Sequence, residues 1–278
     1  MPPNKKLPHL GAELDRALNV TKEDELSEAI HALRAALNKE LNDLLIFSEV
    51  SIPVLDIHAD ELDDSALKEP KKKRRFNVPS IEGESFASRE PRDVAKLLRR
   101  FIEKDLAANL LLAAISRTES TLNDILRLLL SYDNSRLKIG SAGGDNSDLD
   151  VCLADILSAV NKRALIKNLI ERRLNMVFSG EPVKYFKYMK EVAKAPLTQE
   201  NIDAFREAKA TRDLIVHNDG VVNATYLGKA GQLCRAQDGE KIVTDMVYLS
   251  KCIQVFKKTV YELSVGIEKQ TGKVKANE

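Results

Sequence analysis

The clearest pattern in the chain is a series of segments in which apolar residues recur every three or four positions, which is typical of amphipathic helices. From Thr21 to about Ser48 the chain reads TKEDELSEAIHALRAALNKELNDLLIFS, with a threonine able to cap a helix and acidic residues in the first turn. The apolar stripe of this segment comprises Leu26, Ile30, Leu33, Leu37, Leu41 and Leu44. It predicts a helix that packs either on the rest of the chain or on a second copy of it.

The residues that follow break this pattern. IPVLDI, residues 52–57, is short and apolar and contains a proline, so we expect an edge strand or a docked extended segment. Charged residues, Ser, Gly and Pro predominate from 59 to 90, which favours a charged linker or long surface loop. Within it, KKKRR (Lys71 to Arg75) is similar to a nuclear import signal or a phosphate-binding patch, or is a solvated run beside neighbouring acids.

Helical periodicity returns at residue 91 and continues through most of the remaining chain. No Pro or Gly lies between Arg92 and Leu137, which predicts one long helix or two helices joined near 104–109. Further helices are predicted over 153–178, 183–195, 198–217 and 241–269. The pattern therefore predicts an all-α protein with an N-terminal helical region over 1–58, a linker over 59–90 and a helical bundle over 91–278.

Composition and charge limit the possible functions. The chain has 43 Lys and Arg against 42 Asp and Glu, so no global positive field attracts nucleic acid and any RNA contact must be local. Its three cysteines are odd in number and form no Cys-x-x-Cys pair, which excludes a disulfide framework and a zinc knuckle. Because no signal peptide or apolar run of membrane-spanning length occurs, we expect a cytoplasmic protein without membrane association.

One candidate for chemistry is the glycine-rich segment GSAGGDNSDLDVCL, residues 140–153. It is similar to the Gly-Ser and Asp-x-Asp signature of nucleotidyltransferases, in which Asp148 and Asp150 would bind magnesium. That chemistry requires the two aspartates on a strand, whereas both flanking segments have helical periodicity. We therefore favour an inter-helix loop whose Ser147 or Asp148 caps the next helix.

The stronger candidate is RDLIVHNDG at the end of the helix predicted over 198–217, where Thr198 can cap the start and Gly220 can end the helix in a left-handed conformation. Asp213 and His217 are four positions apart and share a face, so the carboxylate can fix the imidazole tautomer. Arg212 lies about 140° away around an ideal helix. An arginine and a histidine together suit RNA cleavage without metal, because one stabilises charge on phosphorus and the other transfers a proton. The alternative is a helix-end histidine stabilised by the helix dipole beside an ordinary ion pair.

This segment resembles the signature of the HEPN superfamily (higher eukaryotes and prokaryotes nucleotide-binding domain), in which an arginine, a polar residue and a histidine close a helix. The resemblance extends over about 92–269 and continues through Tyr226 and Leu227. It implies a helical bundle and assigns catalytic roles to Arg212, His217, Asp213 and Glu119, with Glu119 facing the arginine. Two further residues, Asn218 and Lys209, are expected to contact RNA.

The resemblance implies a metal-independent endoribonuclease that uses no cofactor and acts as a toxin or antiphage defence effector. The alternative is a catalytically inactive HEPN module that binds nucleotide or RNA, or that dimerises within a defence complex. Arg212 and His217 converge on one phosphate only if the helix end unwinds near Asn218 or if a second chain completes the site, and we expect the latter, a homodimer with a composite site. An antitoxin or another defence-system protein is a further possible partner.

Overall fold

The structure is a computed structural model that describes residues 23–68, 73–139, 156 and 159–270. Of these residues, 78% are helical and 7% lie in strands, which agrees with the all-α class that the periodicity predicts. The elements used below are α1 (Glu23–Lys68), β1 (Arg74–Ser80), β2 (Gly83–Arg89), α2 (Pro91–Arg100), α3 (Leu106–Tyr132), α4 (Lys162–Phe178), α5 (Pro182–Ala193), α6 (Gln199–His217), α7 (Ala224–Ala230) and α8 (Met246–Gln270). Thr21, the magnesium-ligand candidates Asp148 and Asp150, and Lys71 lie outside the described residues.

Helix α1 is a single helix of 46 residues that passes through Pro53. The strand or extended segment predicted over 52–57 is therefore wrong. Pro53 is exposed, so the carbonyl that loses its hydrogen bond to the missing N–H can be hydrated. Beyond it, Ala59 and Leu62 are fully buried and pack with Ala95 of α2, which favours a continuous helix over a break.

The apolar stripe of α1 packs on the chain itself. Leu26, Ile30, Leu37 and Leu41 are buried in the main core together with residues of α3 and α8. A second apolar stripe lies on the outer face of the same helix and is more than half exposed: Ile46, Phe47, Val50, Val54 and Ile57. The first stripe therefore packs on the rest of its own chain and not on a second copy of it.

The segment expected to be a linker over 59–90 contains the last turns of α1 and an antiparallel hairpin of β1 and β2. Arg99 of α2 binds Asp60 at 2.7 Å and Asp63 at 2.5 Å, and so connects α2 to the end of α1. The pKa of Arg99 is raised by its hydrogen bonds to these two carboxylates. The hairpin itself is mostly exposed on both faces.

The long helical pattern after residue 91 is interrupted by a π-helical turn, Phe101–Asp105, between α2 and α3. This turn overlaps the start of the junction predicted near 104–109. Helix α4 begins only at Lys162, because Asn161 is extended and its side chain accepts the N–H of Ala164 at 2.9 Å. At α6 the predicted cap is confirmed, since Thr198 Oγ1 accepts the N–H of Asn201 at 3.4 Å.

An aromatic cluster in the main core fixes α6 between α5 and α8. Phe205 of α6 makes edge-to-face contacts with Phe186 at 5.1 Å and with Phe256 at 5.2 Å between ring centroids. Where α8 crosses the end of α5, Gly266 lets the two backbones approach closely, since a Cβ atom there would lie 2.5 Å from the Cα of Ala195. These contacts hold in place the helix that carries the predicted motif. Among the described residues, no helix combines the length and apolar character needed to cross a membrane.

Candidate functional site

The end of α6 forms a tight turn after the predicted motif. The helix ends at His217, and the N–H groups of Asn218 and Gly220 both donate to the carbonyl of Leu214, at 2.9 and 3.0 Å. Gly220 has a positive φ of 74°, as predicted, and Asp219 before it also has a positive φ of 49°. This turn leaves the last side chain of the helix at the surface.

Asp213 is held by two cations. Its Oδ1 atom accepts a hydrogen bond from Arg212 at 2.9 Å, and its Oδ2 atom accepts one from Lys229 of α7 at 3.3 Å. The bond from Asp213 to His217 that the four-residue spacing predicts is therefore replaced by two charge-assisted bonds. The carboxylate instead fixes Arg212 and joins α6 to α7.

His217 is exposed, and within the described residues its ring makes no hydrogen bond or ion pair. Its neighbour Asn218 uses its amide in the turn, because Nδ2 donates to the carbonyl of Val221 at 2.6 Å. The expected RNA contact of Asn218 therefore has to compete with this local bond. The histidine has no such competitor and can move a proton to or from a bound molecule.

Glu119 binds Lys209 and not Arg212. Its Oε1 atom accepts from the ammonium group of Lys209 at 2.5 Å and from the hydroxyl of Tyr185 at 3.4 Å. The ammonium also lies 5.3 Å from the centre of the Tyr185 ring. Burial, followed by the charge of Glu119, raises the pKa of Tyr185 well above its usual value. Glu119 lines the same cleft as the arginine it was expected to face, but its ion pair is with Lys209, so Lys209, expected to bind RNA, has an internal partner.

Arg212 and His217 line different clefts. Arg212 lines a cleft of about 380 Å³ along α3, together with Glu119, Asn123 and Phe178. His217 lines a smaller cleft of about 230 Å³ together with Asp213 and Lys229. The separation follows from the angle of about 140° between positions five residues apart on a helix.

A third cleft, of about 360 Å³, lies between α5 and α6 and is lined by four cations and by the carboxylates of Glu181 and Asp213. Its cations are Lys184, Arg206, Lys209 and Lys229. Phe178 lines both this cleft and the cleft along α3. Arg206 forms an ion pair with Asp203 at 3.1 Å, and this pair reduces the positive electrostatic potential in the cleft.

A buried polar network on the opposite side of α6 was missed by the sequence analysis. The carboxylate of Glu207, which is 5% exposed, accepts hydrogen bonds from Thr211 at 2.7 Å, Tyr226 at 2.9 Å, Arg235 at 2.9 Å and Tyr248 at 2.6 Å. Arg235 also lies 3.4 Å from the centre of the Tyr248 ring. The network connects α6 to α7, to the start of α8 and to the loop between them.

Burial dominates the ionisation of this network. It raises the pKa of Tyr226 to about 12 and that of the neighbouring Cys252 thiol to about 12, and it raises the pKa of Tyr248 as well. A sequence signal did exist: Glu207 and Thr211 share the helical face of the buried Leu214. A carboxylate on the buried face of a helix requires buried donors.

In the described part of the chain, no group of three or more His, Cys, Asp or Glu side chains is placed to hold a metal ion. The chemistry available near the end of α6 is that of a guanidinium held by a carboxylate, an exposed imidazole and several amines. Such groups can bind an anion and transfer a proton.

The comparisons with known proteins give no relative. The chain matches no protein-family model, no curated protein and no solved structure.

Proposed function

We propose that the chain is a metal-independent endoribonuclease of the HEPN type, with Arg212 and His217 as catalytic residues, which acts as a toxin or antiphage defence effector. The observation that carries this proposal is the arrangement around Asp213. The carboxylate orients Arg212 at the mouth of one cleft, while His217 stays exposed and unpartnered among the described residues. Both groups are thus available to a phosphodiester.

In the proposed reaction, His217 removes the proton of a ribose 2′-hydroxyl or protonates the leaving oxygen. The 2′-oxygen attacks the adjacent phosphorus, the bond from phosphorus to the 5′-oxygen breaks, and this oxygen leaves as a hydroxyl. The products are a 2′,3′-cyclic phosphate and a free 5′-hydroxyl. Arg212 stabilises the charge that develops on the phosphorus oxygens.

A homodimer completes the proposed site. Because Arg212 and His217 line different clefts of one chain, a two-fold contact between the ends of two α6 helices would bring an arginine of one protomer to a histidine of the other. Dimer formation doubles the positive charge near the site, which compensates for the small net charge of +1 on the whole chain.

The test is digestion of total RNA in the presence of EDTA. We expect the parent chain to cleave, and Arg212→Ala and His217→Ala each to reduce the rate by about 10²-fold or more. The matched controls are Arg117→Ala and His58→Ala, which remove an arginine and a histidine elsewhere and should retain full activity. Equal cleavage by the two motif variants and the parent would contradict the assignment.

The composite site has its own test. Mixing Arg212→Ala chains with His217→Ala chains should restore activity, because a mixed dimer retains one intact site. Light scattering on the same samples should give a dimer mass. A fully active monomer would contradict the shared site and leave the catalytic assignment standing.

A second candidate function is a catalytically inactive HEPN module that binds RNA or nucleotide. The observation in its favour is that Asp213 does not orient His217, because Arg212 and Lys229 occupy both carboxylate oxygens. Binding of RNA that stays intact, with the same affinity in the parent and in His217→Ala, would favour this alternative.

A further inference from the structure

The hairpin formed by β1 and β2 has the character of a binding surface. Its strands pair from Arg74 opposite Arg89 to Ser80 opposite Gly83, and both are largely exposed. Two aromatic side chains lie in solvent on it, with Phe76 40% and Phe86 60% exposed. Because a two-stranded hairpin in water is only marginally stable, a partner that covers these rings would stabilise it.

The base of the hairpin carries a cluster of positive charges. Arg74 lies directly opposite Arg89, with Lys73 and Arg75 beside them. Among the described residues, none of the four has a carboxylate partner: Arg75 stacks 4.2 Å from the Phe86 ring centre, and Arg89 donates to a backbone carbonyl at 3.1 Å. Like charges directly across a strand pair are destabilising, and a bound anion would remove this repulsion.

Each face of the hairpin combines arginine with an aromatic ring. Side chains alternate along a strand, so Phe76 shares a face with Arg74 and Arg89. Phe86 and Arg75 share the other face, together with Asn77. Proteins bind single-stranded nucleic acid with this combination of groups, because the bases stack on aromatic rings and the phosphates pair with positively charged side chains.

The distribution of charge along the hairpin favours nucleic acid over a membrane surface. Ile81 at the tip is fully exposed, as in a membrane anchor, but Glu82 and Glu84 follow it closely in the chain. An anionic lipid surface would repel these acids, whereas a polyanion lying across the base avoids them. The basic end therefore defines where the ligand lies.

We propose that this hairpin binds single-stranded nucleic acid, with phosphates at Arg74 and Arg89 and a base stacked on Phe76. The site is separate from Arg212 and His217 and does not depend on RNA cleavage. It gives a role to the described part of the basic run that the sequence analysis left open.

The test measures fluorescence anisotropy of labelled oligouridylate, and of its DNA counterpart, with the full chain carrying His217→Ala so that the RNA stays intact. Arg74→Ala/Arg89→Ala should weaken binding, and the slope of log affinity against log salt should become shallower by about 1.4. Phe76→Ala should weaken binding about fivefold or more. If the variants bind both oligonucleotides more weakly, recognition is through phosphates and bases. If they bind only one more weakly, that oligonucleotide identifies RNA or DNA as the ligand.

The matched control is Lys251→Ala/Lys258→Ala, which removes the same charge from exposed positions of α8. It should retain the parent affinity, and circular dichroism should be unchanged in every variant. Equal binding by the hairpin variants and the parent would overturn the proposal, as would an equal loss in the control. Binding to phosphatidylserine vesicles or to a protein without binding of either oligonucleotide would overturn it too.

Discussion

The buried carboxylate of Glu207 offers the sharpest test of how the motif-bearing helix is held. We predict that Glu207→Leu destabilises the protein by about 2 to 4 kcal/mol, because the partly buried Arg235 loses its counter-charge. The Arg235 side chain is 25% exposed, and its Nε atom lies 2.9 Å from the Glu207 carboxylate. The three hydroxyls that lose their acceptor add to the cost, but Tyr248 and Thr211 already lie 3.3 Å apart and can bond to each other. Because of this new hydrogen bond, the total loss of stability should be smaller than the sum of the separate losses.

The measurement is urea unfolding followed by circular dichroism, applied to Glu207→Leu, Arg235→Leu and the double variant. The double variant should be at least about 1 kcal/mol more stable than Glu207→Leu alone, because it leaves no unpaired charge in the network. Glu200→Leu, at an exposed position of the same helix, serves as the control and should change stability by no more than about 1 kcal/mol. A Glu207→Leu variant as stable as the parent, or costs that simply add in the double variant, would refute the reasoning.

Two further predictions concern packing and pH. Gly266→Ala should destabilise the protein by about 1 to 3 kcal/mol in urea unfolding, because its Cβ would overlap backbone atoms, whereas Gly228→Ala, with open space around its Cβ position, should be neutral or stabilising. A stable Gly266→Ala variant would contradict the close approach of α8 and α5. Burial raises the pKa of Cys252 from 9.0 to about 12, so its neutral thiol stabilises the fold below pH 9, and this contribution is lost as pH rises towards 12. The unfolding free energy of the parent should therefore fall more steeply between pH 9 and 11 than that of Cys252→Ala, and equal slopes would contradict the buried thiol.

The position of the candidate site follows from local sequence. The helix that ends at His217, its cap at Thr198 and its stop near Gly220 depend on neighbours within a few positions. These local features are therefore the same whatever the rest of the fold, provided that the helix forms. The separate orientations of Arg212 and His217 also follow from helix geometry alone.

The partners of the site residues depend on contacts that the sequence does not contain. Glu119 is 90 positions from Lys209, and its choice of that lysine over Arg212 depends on how α3 packs against α6. Asp213 binds Lys229 because α7 folds back beside α6, and this cation competes with His217 for the carboxylate.

The periodicity of apolar residues by itself determined that the chain is helical and which end of which helix carries the motif, because both depend on interactions within a few residues. Only the tertiary structure decided that α1 continues through Pro53, since burial of Ala59 and Leu62 outweighs one lost hydrogen bond. It also decided that Glu207 and Arg235 meet in a buried network, because the free energy of a charge depends on its surroundings in space and not on its neighbours in sequence.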